Sequence, residues 1–465
     1  MRSLFLSFFF LCFLLACQTS PPNRLSLNGT WQSLGSGWIL AIQDSSQYQF
    51  FDQTSISCLP ARTGELPELL PALRLQNDTL ILHKGVLDYT FIRTDQLPVI
   101  CNQPIEETKQ HDPVYNFAVF AETVEEHYAF FDLNEIDWPS LYEEQKAQLS
   151  PNSTSLELYQ VIEETLEALN DNHAYLEADA ALYAALEEEE TEEKTEDGLP
   201  EYGDFQVSAM VAENHFEEEF TQDSWLVQWG TLSEDIGMIV VKAMWLYADL
   251  DIPQARIDEL GYVDAYVTTF HELYEGDYIQ KEVAGIAEIM DRVMDDLRNH
   301  SAIVIDLRFN GGGQDAVSFE ILSRFLDQET AVATQKLRMG EGFTLPQTLS
   351  IPGHPQAFTK PVYLLTSPQT GSAAEAFAIA ALPVEHIKRI GGATQGAMST
   401  ALEKTLPNEW SFSISNEIYM DLVGKSYENI GIPVDYDCFY SKTFNPAWTK
   451  DLSLPKSVLY PLLSH

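Results

Sequence analysis

Ser301 to Phe309 reads SAIVIDLRF, and three consecutive glycines, Gly311, Gly312 and Gly313, follow one residue later. An apolar run of this kind reads as a buried strand. Strand and helix patterns alternate around it. GMIVVKAMW (237–245), PVYLLT (361–366) and HIKRIGG (386–392) are further strands. KEVAGIAEIMDRVMDDL (281–297) is a helix with Val283, Ile286, Met290, Val293 and Leu297 on its inner face. AVSFEILSRFL (316–326) and the alanine-rich run after Ser372 are two more helices. Repeated βα units imply an α/β domain whose mostly parallel sheet is covered by helices. Ligands of such sheets sit at the carboxyl ends of the strands, where both the triple glycine and Ser372 fall.

The chain has 465 residues, more than one ordinary domain needs. Residues 28–105 read as a small β domain, with WILAIQ and YQFF as short strands and a hairpin about Lys84-Gly85. Residues 112–180 read as a helical subdomain. Phe117, Phe120, Val124, His127 and Phe131 share one face there, and Leu158, Ile162, Leu166 and Leu169 share another. Residues 181–224 are an acidic insertion or linker; EEEETEEKTED (187–197) carries eight acids in eleven residues and repels itself. Residues 225–460 are the α/β domain.

The first 22 residues are MRSLFLSFFFLCFLLACQTSPP. Residues 1–16 read as a secretory signal, its apolar stretch short for a bilayer span. Leu14-Leu15-Ala16-Cys17 resembles a bacterial lipoprotein box, which implies a lipid on Cys17, a tether over 17–27 and residence in the cell envelope. An exported chain permits a Cys58–Cys101 disulfide. No CxxC or His/Cys cluster marks a metal site, and no cofactor is implied. Acidic residues outnumber basic ones 71 to 26, a net charge of -45, which argues against a nucleic-acid partner.

Ser372-Ala-Ala-Glu375 fits a capping box at a helix start. The same address suits a nucleophile, because unpaired N–H groups at a helix N-terminus can hold an oxyanion. The glycines after the 301–309 strand allow a tight turn with bare N–H groups. They do not match the phosphate-binding G-x-x-x-x-G-K-[ST] pattern.

Asp306 to Gly313 (DLRFNGGG), Thr366 to Glu375 (TSPQTGSAAE) and Gly391 to Gly396 (GGATQG), in this order, resemble the C-terminal processing and tricorn-type serine peptidases, family S41. The resemblance covers roughly residues 112 to 440. It implies a crotonase-like catalytic fold and a peptide or protein substrate. It assigns Ser372 as nucleophile, His173 in LNDNHAYL as general base and Glu428 in YENIGIPVDYD as the acid orienting it. The oxyanion donors would be Ala373 N–H and Gly311 or Gly312 N–H. One branch of the family places a lysine where Ala397 stands, so a Ser–Lys dyad is not expected here. Asn172 stands where tricorn-type members carry a relay serine, and Phe309 is bulky enough to narrow the pocket. Retinoid-binding relatives keep a second reading open, a silent cleft that binds an apolar ligand or peptide.

Overall fold

A computed structural model describes residues 26–44, 46–189, 204–233, 235–273 and 275–438. The leader, Cys17 and most of the acidic run lie outside the described residues. Among the described residues no helix is long and apolar enough to cross a membrane.

The N-terminal strands are β1 (Gly29–Ser33), β2 (Trp38–Gln43), β3 (Gln47–Gln53), β4 (Cys58–Glu65), β5 (Leu73–Gln76), β6 (Thr79–Lys84) and β7 (Leu87–Thr94). They form one antiparallel sheet in the order β4-β3-β2-β1-β7-β6-β5. Alternation decides which face is inner: Leu87, Tyr89 and Phe91 of β7 are buried and their neighbours less so. Gly85, at φ 64°, turns β6 into β7. Cys58 and Cys101 are bonded and pin the 99–102 turn to β4.

Two long helices follow, α1 (Pro113–His127) and α2 (Ser155–Leu169). Asp112 caps α1 and a Thr154–Glu157 capping box starts α2. Their inner faces, Phe117, Phe120 and Val124 against Leu158, Ile162 and Leu166, share one core. Phe131 falls beyond the end of α1 and is only half-buried there. Asn170, left-handed at φ 51°, ends α2. The chain turns there into a short strand, β8 (Tyr175–Glu177).

The large sheet holds β9 (Val227–Ser233), β10 (Ile236–Val241), β11 (Ala302–Asp306), β12 (Val362–Thr366), β13 (Ile387–Gly391) and a final pair, Tyr436–Asp437. The strands run β13, β12, β11, β10 and β9 across it. β10, β11, β12 and β13 are mutually parallel, and β9 joins β10 antiparallel. Their faces are covered by α3 (Glu275–Leu297), α4 (Asp315–Ser323) and α5 (Ala373–Ala380). Ile286, Met290, Val293 and Leu297 of α3 are buried, Val283 half so. Phe309 does not narrow the cleft; it packs with Val207 and Ala212 in a separate cluster.

Glu282, fully buried on α3, accepts hydrogen bonds from Leu246 N (3.0 Å), Tyr247 N (2.7 Å) and Tyr266 Oη (2.6 Å). It fixes the loop after β10. Met244 of that loop donates to Gly312 O at 2.8 Å and accepts from Gln314 N at 2.8 Å. The glycine turn is thus braced from behind by an acid that the sequence hides in an apolar helix face.

The three parts are locked together. β14 (Ala401–Thr405) and β15 (Ser411–Ser415) form a small sheet with β8, so the C-terminal region pairs directly with the end of the helical part. Lys404 of β14, buried, ion-pairs with Asp52 of β3 and donates to Ser36 O at 2.8 Å. Tyr89 Oη donates to the buried Glu417 at 2.7 Å. Removing one partner of a buried pair strands the other charge. Asp52→Ala is therefore expected to destabilise the fold by about 3–5 kcal/mol in denaturant unfolding. A change under about 1 kcal/mol would show that Lys404 is solvated from elsewhere.

Candidate active site

Ser372 opens α5 with φ 50° and ψ −123°, a conformation non-glycine residues rarely hold. Its hydroxyl makes no capping bond. Three segments hold it in place. Gly371 N donates to Asn310 O (3.1 Å), Ser372 N donates to Ala397 O (3.0 Å), and Thr370 Oγ1 donates to Leu307 O (2.8 Å). Glu375, fully buried, sends its carboxylate away from Ser372 Oγ to Thr394 Oγ1 (2.6 Å), Gly396 N (2.7 Å) and Ala397 N (2.7 Å). The S-x-x-E spacing therefore staples α5 to the 394–397 turn and leaves the hydroxyl outside the cap. Asp306 and Arg308, both buried, form a close ion pair under the strand end.

His173 Nε2 lies 3.3 Å from Ser372 Oγ, within reach for proton transfer. The residues are 199 positions apart and come from different parts of the fold. His173 sits between the Asn170 corner and β8. Asp171 Oδ1 accepts from His173 N (3.0 Å) and Ser415 Oγ (2.7 Å), and Asp171 Oδ2 from Ser415 N (2.7 Å). Ser413 Oγ donates to His173 O. Burial pushes the His173 ring below its ordinary pKa, and the Asp171 carboxylate pulls the other way. His173 Nδ1 is buried with no partner among the described residues. Asn172 is exposed beside it.

Glu428 is buried, and its carboxylate accepts from Met398 N at 3.0 Å. It makes no hydrogen bond to His173. Its loop reaches the helical part, where Asn429 Nδ2 donates to Asn134 Oδ1 (2.6 Å), and Asn134 Nδ2 donates to Leu169 O (2.7 Å) just before the His173 corner. Burial pushes the Glu428 carboxyl up to about 8, opposed by the Met398 N–H and reinforced by the nearby Glu375 and Asp171.

Gly312 holds φ 110° and donates its N–H to Asn310 Oδ1 at 2.9 Å. A Cβ at Gly312 would stand 2.6 Å from Ser372 Cβ and 2.9 Å from Ala373 N. The N–H groups of Gly311 and Ala373 donate to no described acceptor. Lys388 and Lys425 are exposed and Lys404 is engaged by Asp52, while His173 Nε2 is the side-chain group described at Ser372 Oγ.

Ser372 and His173 open onto a cavity of about 500 Å3. Residues 260–438 match the model of peptidase family S41. Among solved structures, a candidate peptidase from Parabacteroides merdae ATCC 43184 aligns with TM-score 0.54 and 16% identity, over 76% of this chain and 97% of that one. Mature CPAF complexed with lactacystin aligns with TM-score 0.50 and 11% identity, over 77% and 99%. At these identities the likeness is one of fold. It extends well beyond residues 260–438, which do not themselves contain His173. Sequence reasoning missed two features around the cavity. Asp171 carries no signal beyond lying two residues before His173. The β-domain side of the cavity, including Trp38 and Tyr89, reads in sequence only as strand alternation. Among the described residues no group of three or more His, Cys, Asp or Glu could hold a metal ion.

Proposed function

We propose that the protein is an exported, lipid-anchored serine endopeptidase that cleaves peptide bonds through Ser372, His173 and Glu428. The S41 assignment supports a peptidase. The observation that carries the serine mechanism is the 3.3 Å approach of His173 Nε2 to an uncapped Ser372 hydroxyl. His173 Nε2 takes the Ser372 proton as Oγ attacks the scissile carbonyl carbon. The carbonyl oxygen becomes an oxyanion held by Ala373 N–H and Gly311 N–H, the two donors left unused. Gly312, whose N–H is engaged, contributes its bare Cα. The C–N bond then breaks, the amine leaves with the proton from His173, and water hydrolyses the acyl-serine by the same steps in reverse. Glu428 is the acid that orients the ring through the open Nδ1 once substrate closes the site, its burial and its tie to the Asn134 corner supporting that role. The N-terminal anchor rests on Cys17 in its lipoprotein-box context.

A fluorophosphonate probe is expected to label wild-type protein on Ser372 and to spare Ser372→Ala. Absence of labelling, with peptide binding retained, would make the cleft a silent binding site. The base works only as neutral imidazole. Because the ring is held below its ordinary value, the acid limb of kcat/KM should fall below ~6.5. An acid limb above 7 that persists in Glu428→Gln would remove His173 from the role.

Glu428→Gln separates chemistry from stability. A carboxyl raised above its ordinary value favours the folded state at low pH, and that contribution is lost as pH rises through about 8. The glutamine variant should therefore melt higher than wild type above pH 8, yet hydrolyse peptide on the order of a hundredfold more slowly. Unchanged turnover would strip Glu428 of its part in the relay.

A further inference from the structure

The cavity has a wall that the chemistry does not use. Trp38 of β2, Leu82 of β6, Val86 in the β6–β7 turn and Tyr89 of β7 line it together with Ile279 and Met398. We propose that this β-domain wall is a subsite for one large apolar side chain, aromatic or leucine-like, of the peptide whose bond Ser372 attacks; the proposal rests on the peptidase reading.

The wall is apolar where it meets the cavity, and the charges around it are committed. Lys404 is held by Asp52, Glu417 by Tyr89 and Gln335, Glu403 by Tyr175, and Asp315 by Tyr419. Lys84 Nζ lies 5.5 Å from the Trp38 ring centroid, and Arg62 has its own partners. An ionic substrate residue would have to displace one of these contacts, and an apolar one would displace only water. Trp38 is half-buried, packed 5.0 Å centroid to centroid against Tyr89, and its indole N–H donates to no described residue. The wall is also preformed. Lys404–Asp52, Tyr89–Glu417 and the Asp88–Gln347 pair of bonds (3.1 and 2.8 Å) fasten β3 and β7 to the catalytic region. A fixed aromatic surface loses little freedom on binding. The volume, about 500 Å3, lies within the range of specific small-molecule sites, about 300–1,000 Å3.

Acetylated, internally quenched hexapeptides that differ only beside the cleaved bond, carrying Phe, Leu, Ala, Asp or Lys there, test this on the full chain, with cleavage positions read by mass spectrometry. Wild type should cleave the Phe and Leu peptides with kcat/KM at least about tenfold above the other three. Trp38→Ala and, at the half-buried turn where folding is least at risk, Val86→Asp should reduce that preference to under about threefold with the Ala peptide unchanged. Fluorophosphonate labelling of Ser372 should be equal in all three proteins. No preference in wild type, a preference for Asp or Lys, or a preference intact in both natively melting variants would overturn the subsite. If wild type neither labels nor cleaves, the peptidase reading fails. The wall is then judged by fluorescence anisotropy: Phe peptide binding about tenfold tighter than Ala peptide, and lost in Val86→Asp, keeps it, and equal binding sinks it.

Discussion

Ser372→Ala and His173→Ala are each expected to lower peptide hydrolysis by about 10^4–10^6-fold, and the double variant no further. In the proposed relay one proton passes between the two side chains, which lie 3.3 Å apart, so removing either disables the same step. Neither change should unfold the chain. Ser372 Oγ caps nothing, so the usual loss of about 1 kcal/mol for a deleted helix cap does not apply. His173 holds its place through backbone bonds to Asp171 and Ser413, which alanine keeps. Multiplicative losses in the double variant would mean that the two residues act in separate steps.

Gly312→Ala should be nearly as damaging, by geometry instead of chemistry. Its Cβ would lie 2.6 Å from Ser372 Cβ, 2.8 Å from Gly371 O and 2.9 Å from Ala373 N, and all three neighbours belong to the nucleophile's own turn. The backbone at φ 110° adds strain of about 1–3 kcal/mol for any side chain. Turnover is expected to fall at least about a thousandfold, with a lower melting temperature. Gly311→Ala is the control for stability, because a Cβ there meets nothing within 4 Å. Equal melting of the two variants would show that the turn can yield without strain.

The parallel sheet was legible because its strands are buried on both faces and so read as unbroken apolar runs, Ala302–Asp306 and Val362–Thr366 above all. The helices of 113–169 were legible from their spacing. Ser372 was ambiguous for a physical reason. A helix start that presents a nucleophile and one that merely caps use the same residues, and only backbone angles tell them apart. Glu375 kept the capping spacing but spent its carboxylate on Thr394, Gly396 and Ala397, contacts across 19 to 22 residues that no local pattern encodes. Glu282 was hidden because a buried acid looks like a surface one until the loop it binds is folded over it. Trp38 and Tyr89 carried no sequence signal as cleft residues, since which domain faces the cleft is a fact of docking.

The distance along the chain between His173 and Ser372 has a consequence for the cell that makes the protein. Synthesis runs from the N-terminus, so the imidazole exists long before the hydroxyl, and neither is competent until the small sheet joining β8 to β15 has formed. In the proposed mechanism, chain still being made, and chain that has failed to fold, hold both groups without the pairing that would turn them into a hydrolase. For a peptidase built this way, assembly itself would be the safety catch that protects its nascent backbone.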